Sequence, residues 1–186
     1  ETNVKSLRQI LEAARAAGVR HFVHTSSVGV HGSLAVVPGN EDSPFAPENL
    51  YEQTKAAGER EVVGFLPQAP PLGVTIVRPA WVYGPGDPRT ERILRTVGRS
   101  RFILFGRGGN YRHPIYIDDY VEGVARLLLQ AHTFARTYVL AGPGYLTSRQ
   151  LIGAAERVTG GRTRLRVPLA MGYARVGRAV RMTLLL

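Results

Sequence analysis

The sequence runs to 186 residues, 44% hydrophobic and 20% charged, with no cysteine and a formal net charge of +10 that comes almost wholly from arginine. That length can bury a proper core, and the composition is that of a globular chain and not of a disordered one. Without cysteine there is no disulfide and no thiolate metal site, and no apolar run approaches the roughly 18 residues that cross a bilayer.

"VKSLRQILEAARAAGVR" places Val4, Leu7, Ile10, Leu11 and Ala14 at helical spacing, with Gly18 closing the helix. "RHFVHTSS" follows as a short β-type run that ends in hydroxyl residues. After the polar loop "GNEDSPFAPEN", Pro47 is placed to start a helix that carries Tyr51 and Lys55 and stops near Leu66, ahead of a proline cluster. "GVTIVRP" reads as a buried strand closed by Pro79. A helix over 88–98, the strand "RFILFG", a glycine turn and the strand "HPIYI" come next. "DDYVEGVARLLLQ" is an amphipathic helix with Asp118 as its expected N-cap, and "TYVLAG" is a strand. "LTSRQLIGAAERVTGG" is a helix begun by Thr147 or Ser148 and ended by Gly160; a short strand "TRLRV" and a helix from about Pro168 finish the chain.

Helices alternating with continuous apolar strands mean an α/β fold with a parallel sheet. Composition shifts near residue 84, where "YGPGDPR" opens a more irregular part, so 1–83 reads as a sheet-and-helix core and 84–186 as mainly an added lobe, with elements returning to the core near 113–131. In open parallel sheets the ligand crevice lies beyond the carboxyl ends of the strands. Ser26 and Ser27 sit at one such end, Pro79 to Tyr83 at another.

The stretch "LYEQTKAAGEREV" sets Tyr51 four residues, about one helical turn, before Lys55, one of only two lysines in the chain. Such a phenol, tuned by a neighbouring ammonium, is a general acid/base device. The plainer reading is a surface tyrosine beside a solvated lysine that pairs with Glu59 at i,i+4. The five histidines lack ligand spacing, so no metal site is expected. The arginines are scattered (Arg8, Arg60, Arg92, Arg126, Arg157, Arg178) and form no basic block with interleaved aromatics, so no nucleic-acid partner is expected.

"HTSSVGVHG", then "YEQTK", then "RPAWVYGPGD", then "GNYRHPIYIDDYVEG" together resemble the NAD-dependent epimerase/dehydratase family of extended short-chain dehydrogenases, in the family's order and over about residues 3 to 160. The resemblance implies a partial Rossmann-like doubly wound parallel sheet over 1–83, the C-terminal part of an NAD(P)-binding domain, with a small α/β substrate-binding lobe over most of 84–186. It implies Tyr51 as acid/base, Lys55 as the charge that lowers its cost and as a holder of the cofactor ribose, and Ser27 as the hydrogen bond to the reacting oxygen. Pro79, Ala80 and Val82 would lie against the nicotinamide. Trp81 stands where nucleotide-sugar enzymes often have asparagine, as an apolar substrate wall or as packing. Arg112 would clamp a substrate diphosphate, or pair with Asp118 or Asp119. Val28 and Gly29 occupy the positions where sugar 4,6-dehydratases resemble one another in having Asp-Glu, so dehydration is not expected.

The same resemblance implies NAD or NADP as cofactor, yet the family's glycine-rich motif is not in this chain; "GRGGN" at 106–110 opens no helix and reads as a turn. The chain begins on Glu1, inside a helical pattern, where the family's fourth helix would lie. We therefore expect a piece truncated at its N-terminus, inactive and poorly soluble alone because "RHFVHTS" would present an apolar edge. The parent is expected to be a cytoplasmic, homodimeric enzyme acting on a secondary hydroxyl or ketone of a small molecule, a nucleotide sugar by first choice. A 3β-hydroxysteroid-dehydrogenase-like or other ketone reductase is the enzymatic alternative, and a non-catalytic dinucleotide sensor is the other.

Overall fold

The computed structural model describes residues 4–34, 36–68, 70–163 and 165–167. In chain order the elements are α1 (Lys5–Ala16), β1 (His21–Thr25), a 3-10 turn (Val28–His31), α2 (Leu50–Phe65), β2 (Gly73–Pro79), β3 (Trp81–Tyr83) and α3 (Pro88–Gly98). There follow β4 (Ile103–Phe105), β5 (Tyr111–Arg112), β6 (Pro114–Tyr116), α4 (Ile117–Leu128), β7 (Thr137–Leu140), β8 (Leu146–Thr147), α5 (Ser148–Thr159) and β9 (Leu165–Val167). They sort into two compact units, one over residues up to 82 together with 115–143, the other over 83–114 and from 144 on. The helix expected from Pro168 lies outside the described residues.

The first unit is built on a parallel sheet of order β1-β2-β7, with Thr25 opposite Val77 and Pro79 opposite Leu140. Strand alternation divides β2 between two faces. Val74 and Ile76 join Leu7 and Leu11 of α1, Val62 and Phe65 of α2, and Leu72 in one buried cluster. Each such side chain contributes about 1.5–3 kcal/mol by leaving water. Thr75 points to the opposite face, where its hydroxyl donates to the Thr133 carbonyl at 2.8 Å. On that face His21 Nδ1 meets the Leu128 carbonyl of α4 at 3.0 Å. Helices therefore cover both faces of the sheet, as a doubly wound fold requires. β3 and β6 form a separate two-stranded pairing.

Several helix ends follow the sequence and two do not. α1 stops at Ala16, with Gly18 in the left-handed region at φ +70°, and α5 is capped by Thr147 with Gln150 and closed by Gly160 at φ +67°. α2 does not start at Pro47. Asn49 caps it instead: its side chain accepts the Glu52 N–H at 3.1 Å while Glu52 takes the Asn49 N–H at 3.3 Å. Proline fits a first turn but carries no side-chain oxygen to satisfy open N–H groups, and this reciprocal cap is worth about 1 kcal/mol. Nor is Asp118 the cap of α4. That helix begins at Ile117, after Tyr116, and Asp118 and Asp119 lie inside the first turn, where their charge favours the helix dipole.

One glycine decides the path of the loop ahead of α2. Gly32 has φ +56°, and a Cβ there would stand 1.9 Å from the Ala46 carbonyl oxygen. Only glycine lets the chain pass so close, and the Ala46 N–H then reaches the Val30 carbonyl at 3.0 Å.

In the second unit α3 packs on α5 through Ile93, Val97, Ile152 and Ala155, β4 runs parallel to β9, and β5 pairs antiparallel with β8. The charge is divided unevenly. Among the described residues the first unit carries nine Lys and Arg against ten Asp and Glu, whereas the second carries eleven Arg against Asp87, Glu91 and Glu156. The net positive charge of the described residues thus lies in the second unit. No helix of the described residues is long and apolar enough to cross a membrane.

Candidate active site

α2 presents Tyr51, Lys55 and Glu59 at successive i,i+4 positions of one face. The Lys55 ammonium donates to the Thr25 carbonyl, at the end of β1, at 2.9 Å and lies 5.9 Å from the centre of the Tyr51 ring. Tyr51 is 56% exposed, so its phenol is open to a ligand. Two residues beyond Thr25, Ser27 caps the 3-10 turn, its Oγ accepting the Gly29 N–H at 3.0 Å. The turn lies against α2: a Cβ on Gly29 would meet Glu52 Cγ at 2.9 Å and Ser27 Oγ at 3.3 Å. The strand end that carries Ser27 and the first turns of the helix that carries Tyr51 and Lys55 therefore meet at one rim of the sheet.

Lys55 does not pair with Glu59, contrary to the plainer reading of the helix. The Glu59 carboxylate is buried and held by Arg78 of β2, whose Nη2 lies 2.7 Å from Oε2 and whose Nε lies 2.9 Å from Oε1. A surface Lys–Glu pair is worth under about 1 kcal/mol, whereas a buried carboxylate without a partner costs several, so the guanidinium takes it. Thr25 does bond through its backbone, as the acceptor for Lys55. Ser26 donates its N–H to the Val77 carbonyl at 2.7 Å, but its buried hydroxyl has no hydrogen-bond partner among the described residues.

Pro79 closes β2 at the same edge as Thr25 and Leu140, so three strands bring their carboxyl ends together there. The Ala80 N–H is already used, donating to the Leu140 carbonyl at 2.8 Å. Trp81 and Val82 follow in β3, both half-buried. Arg112 belongs to the second unit, half-buried in β5 opposite Leu146. No group of three or more His, Asp or Glu among the described residues could hold a metal ion.

His24 was not singled out by its sequence context. It precedes Thr25 on β1, its Nε2 is buried without a hydrogen-bond partner among the described residues, and its imidazole is pushed down to about 4. Burial is the main cause, the Lys55 ammonium adds to it, and the Glu59 charge opposes it. Between the ordinary value of 6.5 and about 4 the unfolded chain binds a proton that the folded one refuses. Stability from this group is therefore complete above about pH 6.5 and declines as pH falls toward 4, by up to about 3 kcal/mol. Urea midpoints measured from pH 7 to 4.5 are expected to show that decline, and His24→Leu is expected to flatten it.

Comparison with known proteins agrees with this architecture. The family model of the NAD dependent epimerase/dehydratase family matches residues 1–141. Sterol demethylase protein B of Methylococcus capsulatus is 35% identical over 175 residues, 90% of this chain and 52% of its own length. UDP-glucose 4-epimerase of Mycolicibacterium smegmatis is 37% identical over 132 residues, 67% of this chain and 42% of its own. Among solved structures, a dTDP-glucose 4,6-dehydratase of Streptomyces venezuelae with NAD bound superposes with a TM-score of 0.78 at 28% identity, over 90% of this chain and 53% of that one. The chain thus spans about half the length of the curated relatives it matches. An α/β sheet with helices on both faces, the Tyr51–Lys55 face at its rim and a family match over most of the sequence lead to one conclusion: this chain belongs to the NAD-dependent epimerase/dehydratase family.

Proposed function

We propose that the whole protein is an NAD(P)-dependent epimerase or dehydrogenase acting on a secondary hydroxyl or ketone, with a nucleotide sugar as substrate. The observation that carries this reading is the Lys55 ammonium, fixed on the Thr25 carbonyl and one turn from the exposed Tyr51 phenol. A positioned side chain that exchanges a proton with the reacting group is a general acid/base, and Tyr51 is the exposed group placed for that role. Tyr51 then takes the proton of a substrate hydroxyl, or returns it to a carbonyl oxygen. Ser27 Oγ accepts from the Gly29 N–H, which leaves its own hydrogen free to donate to that same oxygen.

The residues fit a dinucleotide at the carboxyl ends of β1, β2 and β7, where Tyr51 and Lys55 would hold the ribose and Pro79, Ala80 and Val82 would face the nicotinamide. When bound, that group supplies the hydride acceptor. The Ala80 N–H is given to the Leu140 carbonyl, so it would not be the donor to a carboxamide there. We read the first unit as part of the nucleotide-binding domain and the second as a substrate-binding lobe, with pairing of whole proteins through the helix that bears Tyr51.

Elimination of water is not part of this proposal. Val28 and Gly29 bring no ionisable group, and nearby Glu52 is occupied in the cap of α2, where Oε2 accepts the Glu48 N–H at 2.7 Å. Substrate class is supported by charge, since the second unit gathers eleven of the arginines described above and suits a diphosphate. A sterol or other ketone is the second reading, supported by Trp81 and by the likeness to Sterol demethylase protein B.

The two readings diverge at Arg112. Arg112→Ala is expected to weaken UDP-glucose or dTDP-glucose binding by about 10- to 100-fold, the loss of one forked charge-assisted contact. Calorimetric titration of wild type and variant checks it. Unchanged nucleotide-sugar affinity, together with turnover of a sterol ketone, would move the assignment to the second reading.

A further inference from the structure

One guanidinium joins three segments of the first unit that carry residues of the proposed site: α2, the 3-10 turn and the end of β2. Arg78 lies at the carboxyl end of β2, directly before Pro79 and Ala80. Its Nε and Nη2 grip both oxygens of Glu59 at 2.7–3.2 Å, and Glu59 stands one turn beyond Lys55 on α2. Its Nη1 donates to the Glu41 carbonyl at 2.7 Å and lies 3.2 Å from His31 Nε2. His31 ends the 3-10 turn that Ser27 caps, and its Nδ1 is 3.2 Å from the Pro44 carbonyl. A carbonyl oxygen only accepts, which puts the ring proton on Nδ1 and leaves Nε2 to accept from Arg78. The Phe45 ring covers the guanidinium at 5.0 Å, and Arg78, Glu59 and His31 are all buried.

We propose that Arg78 is the positioning residue of this site: with Glu59 and His31 it holds the Tyr51–Lys55 helix, the Ser27 turn and the Pro79–Ala80 strand end in one register. Its catalytic consequence rests on the function proposed above, and its geometric content does not. Stability alone does not explain the arrangement, because apolar side chains of similar size often stabilise a core as well as a buried ion pair does. A planar fork of donors, by contrast, fixes orientation toward several acceptors at once. The helix, turn and strand end are far apart in sequence, and a shift of an ångström between Ser27 and Tyr51 is enough to slow proton transfer greatly.

The experiment uses Glu59→Leu with Arg78→Met, which replaces the ion pair by apolar bulk. In the whole protein, amide exchange is expected to quicken by at least about 10-fold at Val30, Ala46, Glu52 and Gln53, while the amides of β1, β2 and β7 keep their rates. In the whole protein kcat is expected to fall about 100-fold with KM held. Arg78→Lys keeps the charge on Glu59 but cannot reach His31 and Glu41 together, and is expected to give the same pattern if the double variant does not fold. Exchange that is unchanged at those four amides, or that quickens equally everywhere, overturns the proposal, as does an unchanged kcat. A whole protein with no turnover before mutation defeats the functional reading alone, and the exchange experiment still decides the role of Arg78.

Discussion

Tyr51→Phe in the whole protein is expected to lower kcat by about 10²- to 10⁴-fold with little change in KM, the range that loss of a general acid or base produces. The substitution removes one oxygen from a side chain that is more than half exposed, so packing changes little and the unfolding midpoint is expected to stay in place. Hydride transfer followed at 340 nm, beside a urea titration of the same variant, separates lost chemistry from lost structure. Lys55→Met should add a second signature. It withdraws the ammonium from the ring and also leaves the Thr25 carbonyl without its side-chain donor, so it acts on both walls of the site. A Tyr51→Phe protein with full kcat would remove the acid/base role from this residue and with it the main support of the proposed mechanism.

Glu59→Leu alone is expected to destabilise the fold by about 3–5 kcal/mol, because it leaves the Arg78 guanidinium buried without its carboxylate. The double replacement with Arg78→Met is expected to recover most of that loss, since the desolvation of two charges disappears with them. Urea unfolding of the two single variants and the double variant measures the coupling directly. A single variant as stable as wild type would mean that water reaches the guanidinium at this position. The two predictions are linked by geometry: the face of α2 that exposes Tyr51 at one end buries Glu59 two turns later.

Local features of the sequence already determined much of this protein. The apolar spacing of Leu7, Leu11 and Ala14 fixed α1, the unbroken run from Val74 to Val77 fixed the central strand, and Thr147, Gln150 and Gly160 fixed both ends of α5. Tyr51 and Lys55 were legible as a pair for the same reason, since residues four apart on a helix must share a face. Their partners were another matter. The carboxylate one turn after Lys55 is Glu59, yet the ammonium goes to Thr25, 30 residues earlier, and Glu59 goes to Arg78, 19 residues later. An arginine inside a buried-type strand was the one signal that pointed there.

The uneven division of net charge was equally hidden, because the chain leaves the first unit at residue 82 and re-enters it at 115, so that neighbours in sequence belong to different bodies. Backbone dihedrals impose their period on a few adjacent residues, and a sequence records that period directly. Which buried charge meets which donor depends on where parallel strands and their crossover helices place groups that are tens of residues apart, and on the cost of leaving any of them dry and unpaired. For that reason the Tyr51–Lys55 face could be read from one stretch of chain, while the contacts that surround it emerged only from the folded structure.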